Sequence, residues 1–543
     1  MITLLALALV TARFDWFDYR GRNPDGAIIK AGEFRNPVLP GFYSDPSVLR
    51  VGRDYYLVTS TFSYFPGLPI FHSRDLVHWN QIGNAIDRPT QVDFGKLEMS
   101  RGLFAASISH HDGRFVIVNT CVDCGGNFVM TAKSAAGPWS DPIWLKGVEG
   151  AIDPSLFFAP DGTRWIVYNG PPNGLPRYPG HRAIWLQQID SAYRPLGART
   201  LLIDGGVHPE AKPIWIEGPH LFAKDDWIYL IAAEGGTAEG HSEVVLRSRS
   251  VTGPFEAYPG NPILTQRDLP RARPYPVTSA GHAQLVEARN GRWWATFLAT
   301  RPYSGDNYNI GRETFLMPVR WHNGWPLITD PGQAVPLTLS APATALTATR
   351  RARDGSSHFH EDFNGVKLGP EWMMMRIPRT RWFRLSDGAL SLEARSISIG
   401  DFGNPSFVGR RLQHPVATVA TRVRFTPRGE GDEAGLVAIQ NDAFWLFAGV
   451  GRSAGRDVVM LKRRSGPNEP SDGVTLATAA IPRLRPVDVR MTIAGATAHF
   501  AWRQGTVWHR LGGTQDSTIL STRRAGGFVG ALAGLYAHSG GSR

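Results

Sequence analysis

Three acidic residues each stand at the head of a short apolar run, where a strand would begin. Asp45 and Asp153 both open the tripeptide Asp-Pro-Ser, and Glu217 opens Glu-Gly-Pro. Two carboxyl groups across a cavity can cleave a glycosidic bond, because a protonated one serves the leaving oxygen and an ionised one activates water. A third carboxylate beside the acid raises the pKa of that acid through like-charge repulsion.

One supersecondary pattern recurs five times and would bring these acidic residues together. Each copy is a short apolar strand, a turn rich in Gly, Asp or Asn, and a strand dense in aromatic and β-branched residues, as β-hairpins require. The copies begin at Asp45, Ala105, Asp153, Glu217 and Gly281. Intervals of about 45 to 65 residues leave room for roughly four strands per copy, and long helical periodicity is absent. We therefore predict an all-β chain in which residues 30–335 form a five-bladed β-propeller.

In a propeller the first strand of each blade lines the central axis, so equivalent repeat positions converge on one pocket. The residues at these positions are Asp45, the pair Phe104 and Ala105, Asp153, Glu217 and His282. An acidic residue before a strand often only caps a turn. Three at the same repeat position are costly to desolvate without a function, which favours a shared catalytic site.

Seven ordered motifs resemble those of glycoside hydrolase family 43, in its branch of β-xylosidases and α-L-arabinofuranosidases. From about Arg35 to Pro331 they read NPVLPGFYSDPS, STFSYFPGLPIFHSRDLVHW, IDPSLF, IEGPHLF, AEGGT, AGHAQLV and GRETFLMPVRW. The resemblance implies Asp45 as general base, Asp153 as the residue that tunes and orients the acid, and Glu217 as general acid. It also implies inversion by direct displacement, which needs carboxyl groups roughly 6.5 to 9.5 Å apart.

The same resemblance implies roles for five further residues. Arg312 in GRET would hydrogen-bond sugar hydroxyls, and Thr237 in AEGGT would also bind substrate. Phe62 and Phe104 would wall the sugar pocket, and His282 would lie near the propeller axis, where some members hold Ca²⁺. The plainer alternatives are a surface arginine, core phenylalanines and a structural histidine. We expect no required cofactor and assign no metal ligand, and a calcium ion near His282 is left open.

Two positions depart from the family pattern. Ser44 stands before Asp45 where the family usually has proline, and we expect little effect from it. Phe104, Ala105 and Ala106 replace a common Trp-Ala-Pro, which alters a pocket wall. The preference between xylose and arabinose therefore stays open.

The sequence changes character after Pro331. Residues 336–357 are rich in Ala, Thr, Pro and charge and lack periodicity, so we predict a linker. Residues 358–543 contain short alternating strands with turn signals between them, which predicts a β-sandwich. It resembles the concanavalin-like module of these xylosidases, in which a loop leans over the pocket. Phe528 is our candidate for the residue that reaches across, with a place in the sandwich core as the alternative.

These observations predict an inverting exo-glycosidase that releases terminal β-1,4-linked xylose from xylo-oligosaccharides and also acts on α-L-arabinofuranose. An α-L-arabinofuranosidase as the main activity is the alternative within the same class. A non-catalytic glycan-binding protein is the alternative of another class, but it would need no protonated acid. A sialidase would show repeated Asp-box turns, which are not visible here.

The net charge and the cysteine content limit which partners and metal sites the sequence can have. The net charge is +11, yet basic runs with interleaved aromatic residues are absent beyond short pieces such as Arg350–Arg353. We expect an oligosaccharide substrate, with no nucleic-acid partner and no membrane, and leave a homo-oligomer open. Cys121 and Cys124 form a lone Cys-x-x-Cys without the second pair that a zinc site needs. A bridge in a tight turn or two incidental thiols are the remaining explanations.

The amino terminus carries an apolar run from Ile2 to Ala12 that is too short to span a bilayer. It resembles the apolar region of a signal peptide, with Val10, Thr11 and Ala12 as a small-residue cleavage site, although the positively charged start is missing. We expect residues 1–12 to be a signal-peptide remnant and the protein to be periplasmic or secreted, with a cytoplasmic location as the alternative.

Overall fold

The computed structural model describes residues 10–343, 354–481 and 485–540, and the described residues are mainly β-strands, turns and loops. The all-β prediction is therefore confirmed. The chain divides into two compact units. The repeat unit contains Ile29–Pro302 and Arg312–Arg350, and the sandwich unit contains Met1–Ile28, Tyr303–Gly311 and Arg351–Arg543. No helix among the described residues is long and apolar enough to cross a membrane.

The sandwich unit contributes the first strand of the chain, and the repeat unit contributes the next twenty-four strands. In chain order they are β1 (Thr11–Arg22), β2 (Glu33–Arg35), β3 (Ser47–Val51), β4 (Asp54–Val58), β5 (Tyr64–Phe65), β6 (Gly67–Ser73), β7 (Asn80–Ile86), β8 (Gly102–His111), β9 (Arg114–Val122), β10 (Gly126–Ala132), β11 (Ile143–Trp144), β12 (Ile152–Phe158), β13 (Arg164–Gly170), β14 (Ala183–Ile189), β15 (Pro195–Asp204), β16 (Glu217–Lys224), β17 (Trp227–Glu234), β18 (Ser242–Ser248), β19 (Glu256–Ala257), β20 (Leu264–Thr265), β21 (Thr278–Glu287), β22 (Trp293–Thr300), β23 (Glu313–His322), β24 (Trp325–Leu327) and β25 (Thr338–Ser340).

Most strands of the repeat unit form five antiparallel sheets of four or five strands. Their orders are β3-β4-β6-β7, β8-β9-β10-β11, β12-β13-β14-β15, β16-β17-β18-β19 with β20 also on β18, and β21-β22-β23-β24. Each sheet opens with one of the five predicted hairpins, which the structure confirms. The first strands also form a closed series of neighbours, because β3, β8, β12, β16 and β21 each contact the next and β21 contacts β3.

The hairpin turns and the space between sheets follow from the residue types. Gly113, with φ of +71°, occupies a turn position that most side chains avoid. Apolar side chains of neighbouring sheets share one core, as Val116 and Val118 of β9 do with Ile166 of β13. Burying each such side chain contributes about 1.5 to 3 kcal/mol. Cys121 near the end of β9 forms a disulfide with Cys124 in the turn between β9 and β10.

The predicted linker is partly wrong. Thr338–Ser340 forms β25, which pairs with β2 so that Phe34 lies opposite Leu339. A three-residue strand is too short to produce a detectable alternation, which is why the sequence pattern missed it. Residues 344–353 of the predicted linker lie outside the described residues.

The remaining strands belong to the sandwich unit. They are β26 (Ser357–Glu361), β27 (Met374–Met375), β28 (Phe383–Leu385), β29 (Leu390–Glu393), β30 (Ser406–Arg411), β31 (Val416–Arg424), β32 (Glu433–Asn441), β33 (Phe444–Ser453), β34 (Arg456–Ser465), β35 (Val474–Ala480), β36 (Val487–Ala494), β37 (Thr497–Arg503), β38 (His509–Arg510), β39 (Gln515–Asp516) and β40 (Leu532–His538), with helix α1 (Thr522–Ala525) before β40. A nine-stranded sheet has the path β28-β29-β1-β31-β36-β37-β38, with β26 on β1 and β39 on β37. A six-stranded sheet has the order β30-β40-β32-β33-β34-β35. Apolar residues of both sheets share one core.

Strand β1 is an interior member of the nine-stranded sheet, because it pairs with β26, β29 and β31. Phe14 and Phe17 are both fully buried although they are three positions apart, since the pairing with β31 shifts register between them. The predicted sandwich boundaries of 358–543 missed this strand. The predicted signal remnant lies outside the described residues up to residue 9, whereas Ala12 is a buried residue of β1.

Two buried features complete the sandwich unit. The guanidinium of Arg376 is fully buried and donates to both carboxylate oxygens of Asp442, at 2.8 and 2.7 Å. The segment Tyr303–Gly311 belongs to this unit although it lies between β22 and β23 in the chain. The side-chain amide of Asn309 donates to the carbonyl of Ser517 at 3.1 Å, and Ile310 lies in the apolar core.

Candidate active site

The three predicted carboxylates lie at the heads of three first strands in the repeat unit. Asp45 precedes β3, Asp153 is the second residue of β12, and Glu217 is the first residue of β16. Their exposures are only 5, 7 and 7%. The charges of Glu217 and Asp45 both act on Asp153, and that of Asp45 acts on Glu217, so the three groups share one buried site.

Irregular backbone at each strand head positions these side chains. The pairing of β12 with β13 shifts register between Ile152 and Ser155, and that of β16 with β17 shifts between Glu217 and His220. Such bulges re-aim a side chain next to a site. Asp45 and Asp153 also have positive φ values of +57° and +50°, which cost about 1 to 3 kcal/mol each in a residue other than glycine.

Asp45 is surrounded by groups that favour its ionised form. Its Oδ1 lies 3.3 Å from Nη1 of Arg312 and 3.9 Å from Nδ1 of His282, and the hydroxyl of Ser60 donates to its Oδ2. Burial acts to raise the pKa of Asp45. The positive charge of Arg312 and the hydrogen bond from Ser60 hold that pKa below its usual value. Asp45 can therefore accept a proton at neutral pH.

Glu217 and Asp153 are surrounded by groups that favour retention of a proton. Burial is the main cause that raises the pKa of Glu217 to about 7. The negative charge of Asp45 also raises this pKa, whereas the positive charges of Arg312 and Arg182 lower it. Burial and the charges of Glu217 and Asp45 raise the pKa of Asp153 well above its usual value. The pair thus keeps at least one proton at neutral pH, while Asp45 is ionised. This is the division that acid–base catalysis needs.

Arg182 is a site residue that the sequence analysis missed. Its Nε donates to Oδ1 of Asn169 at 2.7 Å and its Nη2 donates to the carbonyl of Gly150 at 2.9 Å. Its charge lowers the pKa of both Asp153 and Glu217. Asn169 also donates to the carbonyl of Ile216, the residue before Glu217. No motif or repeat position singles out Arg182, because it comes near the acids only through the pairing of β13 with β14.

Ser60 was also missed, although it begins the motif that contains Phe62. Its amide donates to the carbonyl of Ser44, which holds the end of β4 against the residue before Asp45. A hydroxyl residue shortly after the hairpin that Asp45 opens is a weak signal, because serine is common in such positions.

The predicted wall residues lie near Arg312, whose guanidinium pairs with Asp45. The rings of Phe62 and Phe104 meet edge to face with centroids 5.2 Å apart. The guanidinium of Arg312 lies 5.9 Å from the centroid of the Phe62 ring. Phe62 is buried and Phe104 is half-buried. Arg312 thus contacts Asp45, Phe62 lies near Arg312, and Phe104 packs on Phe62, whereas their roles in sugar binding stay predictions.

His282 also joins the site, and a glycine makes room for it. A Cβ atom at Gly218 would lie 2.8 Å from Nε2 of His282, and Gly218 has φ of +59°, so both space and backbone require glycine there. Burial lowers the pKa of His282, which favours the neutral imidazole. The nearby imidazoles of His220 and His241 have pKa values lowered to about 3 and about 4 by burial.

These surroundings of His282 do not fit a calcium ion. Calcium takes six to eight oxygen ligands, whereas the charged and polar side chains that interact with His282 are the imidazoles of His220 and His241, the guanidinium of Arg312 and the single carboxylate of Asp45. Within residues 10–343, 354–481 and 485–540, the one group of three possible metal ligands does not include His282. We derive no catalytic step through a metal.

Two further predicted binding residues lie in loops. Thr237 is half-buried in the loop after β17, where the amides of Gly235 and Gly236 donate to the carbonyl of Ile214. Phe528 is half-buried in the sandwich unit between α1 and β40. The roles of Thr237 and Phe528 stay predictions.

Family models match both units. Glycosyl hydrolases family 43 matches residues 34–326, and the β-xylosidase C-terminal concanavalin A-like domain matches residues 360–543. The first match covers more than half of the chain and contains all three carboxylates.

Similar proteins span nearly the whole chain. A protein named xylosidase/arabinosidase from Butyrivibrio fibrisolvens is 37% identical over 510 residues, which cover 93% of this chain and 96% of that protein. A non-reducing end α-L-arabinofuranosidase from Bacteroides ovatus is 35% identical and covers 94% of this chain and 92% of its own.

Solved structures agree with these sequence matches. A family 43 protein retrieved from a capybara gut metagenome superposes with a TM-score of 0.90 at 35% identity, covering 97% of this chain and 100% of its own. A xylan β-1,4-xylosidase from Bacillus halodurans gives a TM-score of 0.83 at 31% identity, with 93% and 97% covered. With an ionised Asp45 beside a proton-retaining pair of carboxyls and these matches along its length, the chain belongs to glycosyl hydrolases family 43 and is a glycoside hydrolase.

Proposed function

We propose that this protein is an inverting exo-glycosidase that releases terminal β-1,4-linked xylose from xylo-oligosaccharides and also accepts α-L-arabinofuranose. The observation that carries the proposal is the difference in protonation among three buried carboxyls in one site. Asp45 is ionised, and the pair of Glu217 and Asp153 retains a proton. The names of the relatives from B. fibrisolvens and B. ovatus support the two sugars.

The catalytic roles follow from these charge states. Asp45 takes a proton from the attacking water, and Ser60 and Arg312 keep it ionised until then. Glu217 gives its proton to the leaving glycosidic oxygen, while Asp153 and Arg182 set the pH at which that proton is available. Asp45 and Glu217 interact through charge without a mutual hydrogen bond, as a displacement with water between the two carboxyls requires. Each step uses the chain's own side chains and no cofactor.

The repeat unit is proposed to be a five-bladed β-propeller. Its five sheets follow one another in the chain, and their first strands form a closed series of neighbours. A radial arrangement of sheets explains why Asp153 of β12, Glu217 of β16 and Asp45, two residues before β3, reach one site.

The pocket is proposed to admit a single terminal sugar. Phe62 and Phe104 supply apolar walls, and the forked donor of Arg312 suits vicinal hydroxyl groups. Closure by Phe528 and binding by Thr237 are further parts of this proposal. The second candidate is an α-L-arabinofuranosidase as the main activity. It is supported by the altered wall at Phe104, Ala105 and Ala106 and by the B. ovatus relative.

Hydrolysis of aryl xylosides and aryl arabinosides tests the proposal. Glu217→Ala and Asp45→Ala should each lower kcat/KM by about 10²-fold or more, because each removes an acid or a base from the transition state. Asp225→Ala is the matched control, since it removes an exposed carboxylate from the turn of the same hairpin as Glu217. Losses below tenfold in both active-site variants would overturn the assignment.

Three measurements separate the remaining alternatives. Proton NMR of the first-formed sugar distinguishes inversion from retention. Calorimetry with xylobiose would show binding without turnover for a non-catalytic glycan-binding protein. The ratio of kcat/KM on the two aryl glycosides decides between xylose and arabinose. Export to the periplasm or the medium stays a prediction.

A further inference from the structure

A cluster of two imidazoles and one carboxylate lies on the sandwich unit, on residues that glycoside hydrolysis does not use. Asp18 of β1 lies opposite His360 of β26, and His358 is the next residue but one on β26. Residues two apart on a strand share a face, so the two histidines stand together over Asp18. Phe359 between them packs toward the apolar core, which leaves the histidine face toward solvent.

Both imidazoles meet the same carboxylate oxygen. Nε2 of His358 lies 2.7 Å and Nδ1 of His360 lies 3.2 Å from Oδ2 of Asp18. The three ligand atoms all lie within 4.8 Å of one another. In a tetrahedral zinc site, ligand distances of about 2.0 to 2.1 Å place neighbouring ligand atoms roughly 3.3 Å apart. Small side-chain adjustments would therefore open the cluster around one ion.

Neighbouring side chains hold two members of the cluster in place. Nε of Arg20 donates to the other oxygen of Asp18, Oδ1, at 3.1 Å, which leaves Oδ2 for the histidines. The indole of Trp16 stacks on the His360 ring, with centroids 6.1 Å apart and planes at 26°. Side chains that orient a ligand strengthen metal binding, because less ordering is needed when the ion arrives.

We propose that Asp18, His358 and His360 bind a divalent transition metal ion of the zinc type. Two imidazoles with one carboxylate suit Zn²⁺ and disfavour Mg²⁺ and Ca²⁺, which prefer oxygen ligands. The side chains of His358 and His360 are 53% and 49% exposed, so a fourth position is open to water. The ion would join Asp18 of β1 to His358 of β26, which are 340 residues apart in the sequence. Because the ion binds only the folded protein, it would stabilise the sandwich unit by mass action.

Titration of the full-length, tag-free protein with ZnCl₂ tests the proposal, after dialysis against EDTA and then into metal-free buffer. Wild type should bind one Zn²⁺ and show a higher unfolding temperature with ZnCl₂, but not with MgCl₂ or CaCl₂. His358→Gln and Asp18→Asn should each weaken Zn²⁺ binding by about tenfold or more and lose the rise in unfolding temperature.

His208→Gln is the matched control, because exposed His208 also pairs with a carboxylate, Glu210 at 3.3 Å, but has no second imidazole. It should bind Zn²⁺ as wild type does. Unfolding curves of all variants in EDTA show whether each is folded before metal is added. Equal Zn²⁺ binding by wild type and both cluster variants, or no Zn²⁺ binding by wild type, would overturn the proposal.

Discussion

The pH dependence of hydrolysis should report the charge states of the buried carboxyls. For kcat/KM on an aryl xyloside we expect a bell-shaped profile. Its acidic limb belongs to Asp45, whose pKa is held below the usual range. Its alkaline limb belongs to the pair of Glu217 and Asp153, and the pKa of Glu217 is about 7. Above that value kcat/KM should fall about tenfold per pH unit, because one proton is lost.

Arg312→Met is the perturbation that distinguishes the two limbs. Nη1 of Arg312 lies 3.3 Å from Oδ1 of Asp45, and both side chains are less than 10% exposed. At an effective dielectric constant of about 20, two unit charges at this distance interact by roughly 5 kcal/mol. Arg312 lowers the pKa of both Asp45 and Glu217, so its removal should move both limbs to higher pH. An opposite charge at this range typically accounts for about 1 to 3 pH units.

Arg182→Met is the matched comparison. Arg182 lowers the pKa of Asp153 and Glu217, so its loss should move the alkaline limb upward and leave the acidic limb in place. Both variants need complete profiles of kcat/KM from about pH 3 to pH 10, a range that brackets the reference values of carboxyl and imidazole groups. The positions of the limbs are informative even where the plateau falls. An acidic limb that stays in place in Arg312→Met would refute Asp45 as the base.

Three further outcomes concern stability. The pKa of Glu217 is raised from 4.5 to about 7. The stability linked to this group is therefore complete below pH 4.5 and is lost as the pH rises through 7. In thermal unfolding, Glu217→Gln should be up to roughly 3 kcal/mol more stable than wild type at pH 8 and nearly equal to it at pH 4. Gly218→Ala should lose about 1 to 3 kcal/mol in urea unfolding and lower kcat/KM, because its Cβ would displace His282; equal stability would contradict the close contact. Arg376→Met should cost about 3 kcal/mol in urea unfolding because it strands Asp442, whereas Arg320→Met, which breaks an exposed pair, should cost less than about 1 kcal/mol.

The sequence predicts the hairpins and strand heads because their signals are local. Alternating apolar residues and a polar turn occur within about twenty residues of Asp45, Asp153 and Glu217, and the repeat aligns the three heads. The arrangement of Arg182 and Ser60 around them depends on pairing between strands. Their side chains approach the carboxylates only after β13 pairs with β14 and after β4 ends beside Ser44.

Long-range pairing also explains the wrong boundaries. The sequence of β1 reads as an amphipathic strand, but nothing in it indicates partners that follow the whole repeat unit. The strand Thr338–Ser340 was missed for a different reason, since three residues carry too little alternation to be recognised as a strand. The cluster of Asp18, His358 and His360 was also missed, because it forms only when β1 pairs with β26, far away in the sequence.

The position of β1 has a consequence for synthesis on the ribosome. Its residues emerge before those of the repeat unit, and His358 is translated 340 residues after Asp18. At about 5 to 20 residues per second, this interval lasts roughly 20 to 70 s. Until it ends, the apolar side of β1, with Phe14 and Phe17, has no partner strand from β26, β29 or β31. The nascent chain therefore carries an aggregation-prone segment throughout translation of the repeat unit, and that segment is a natural client for a chaperone.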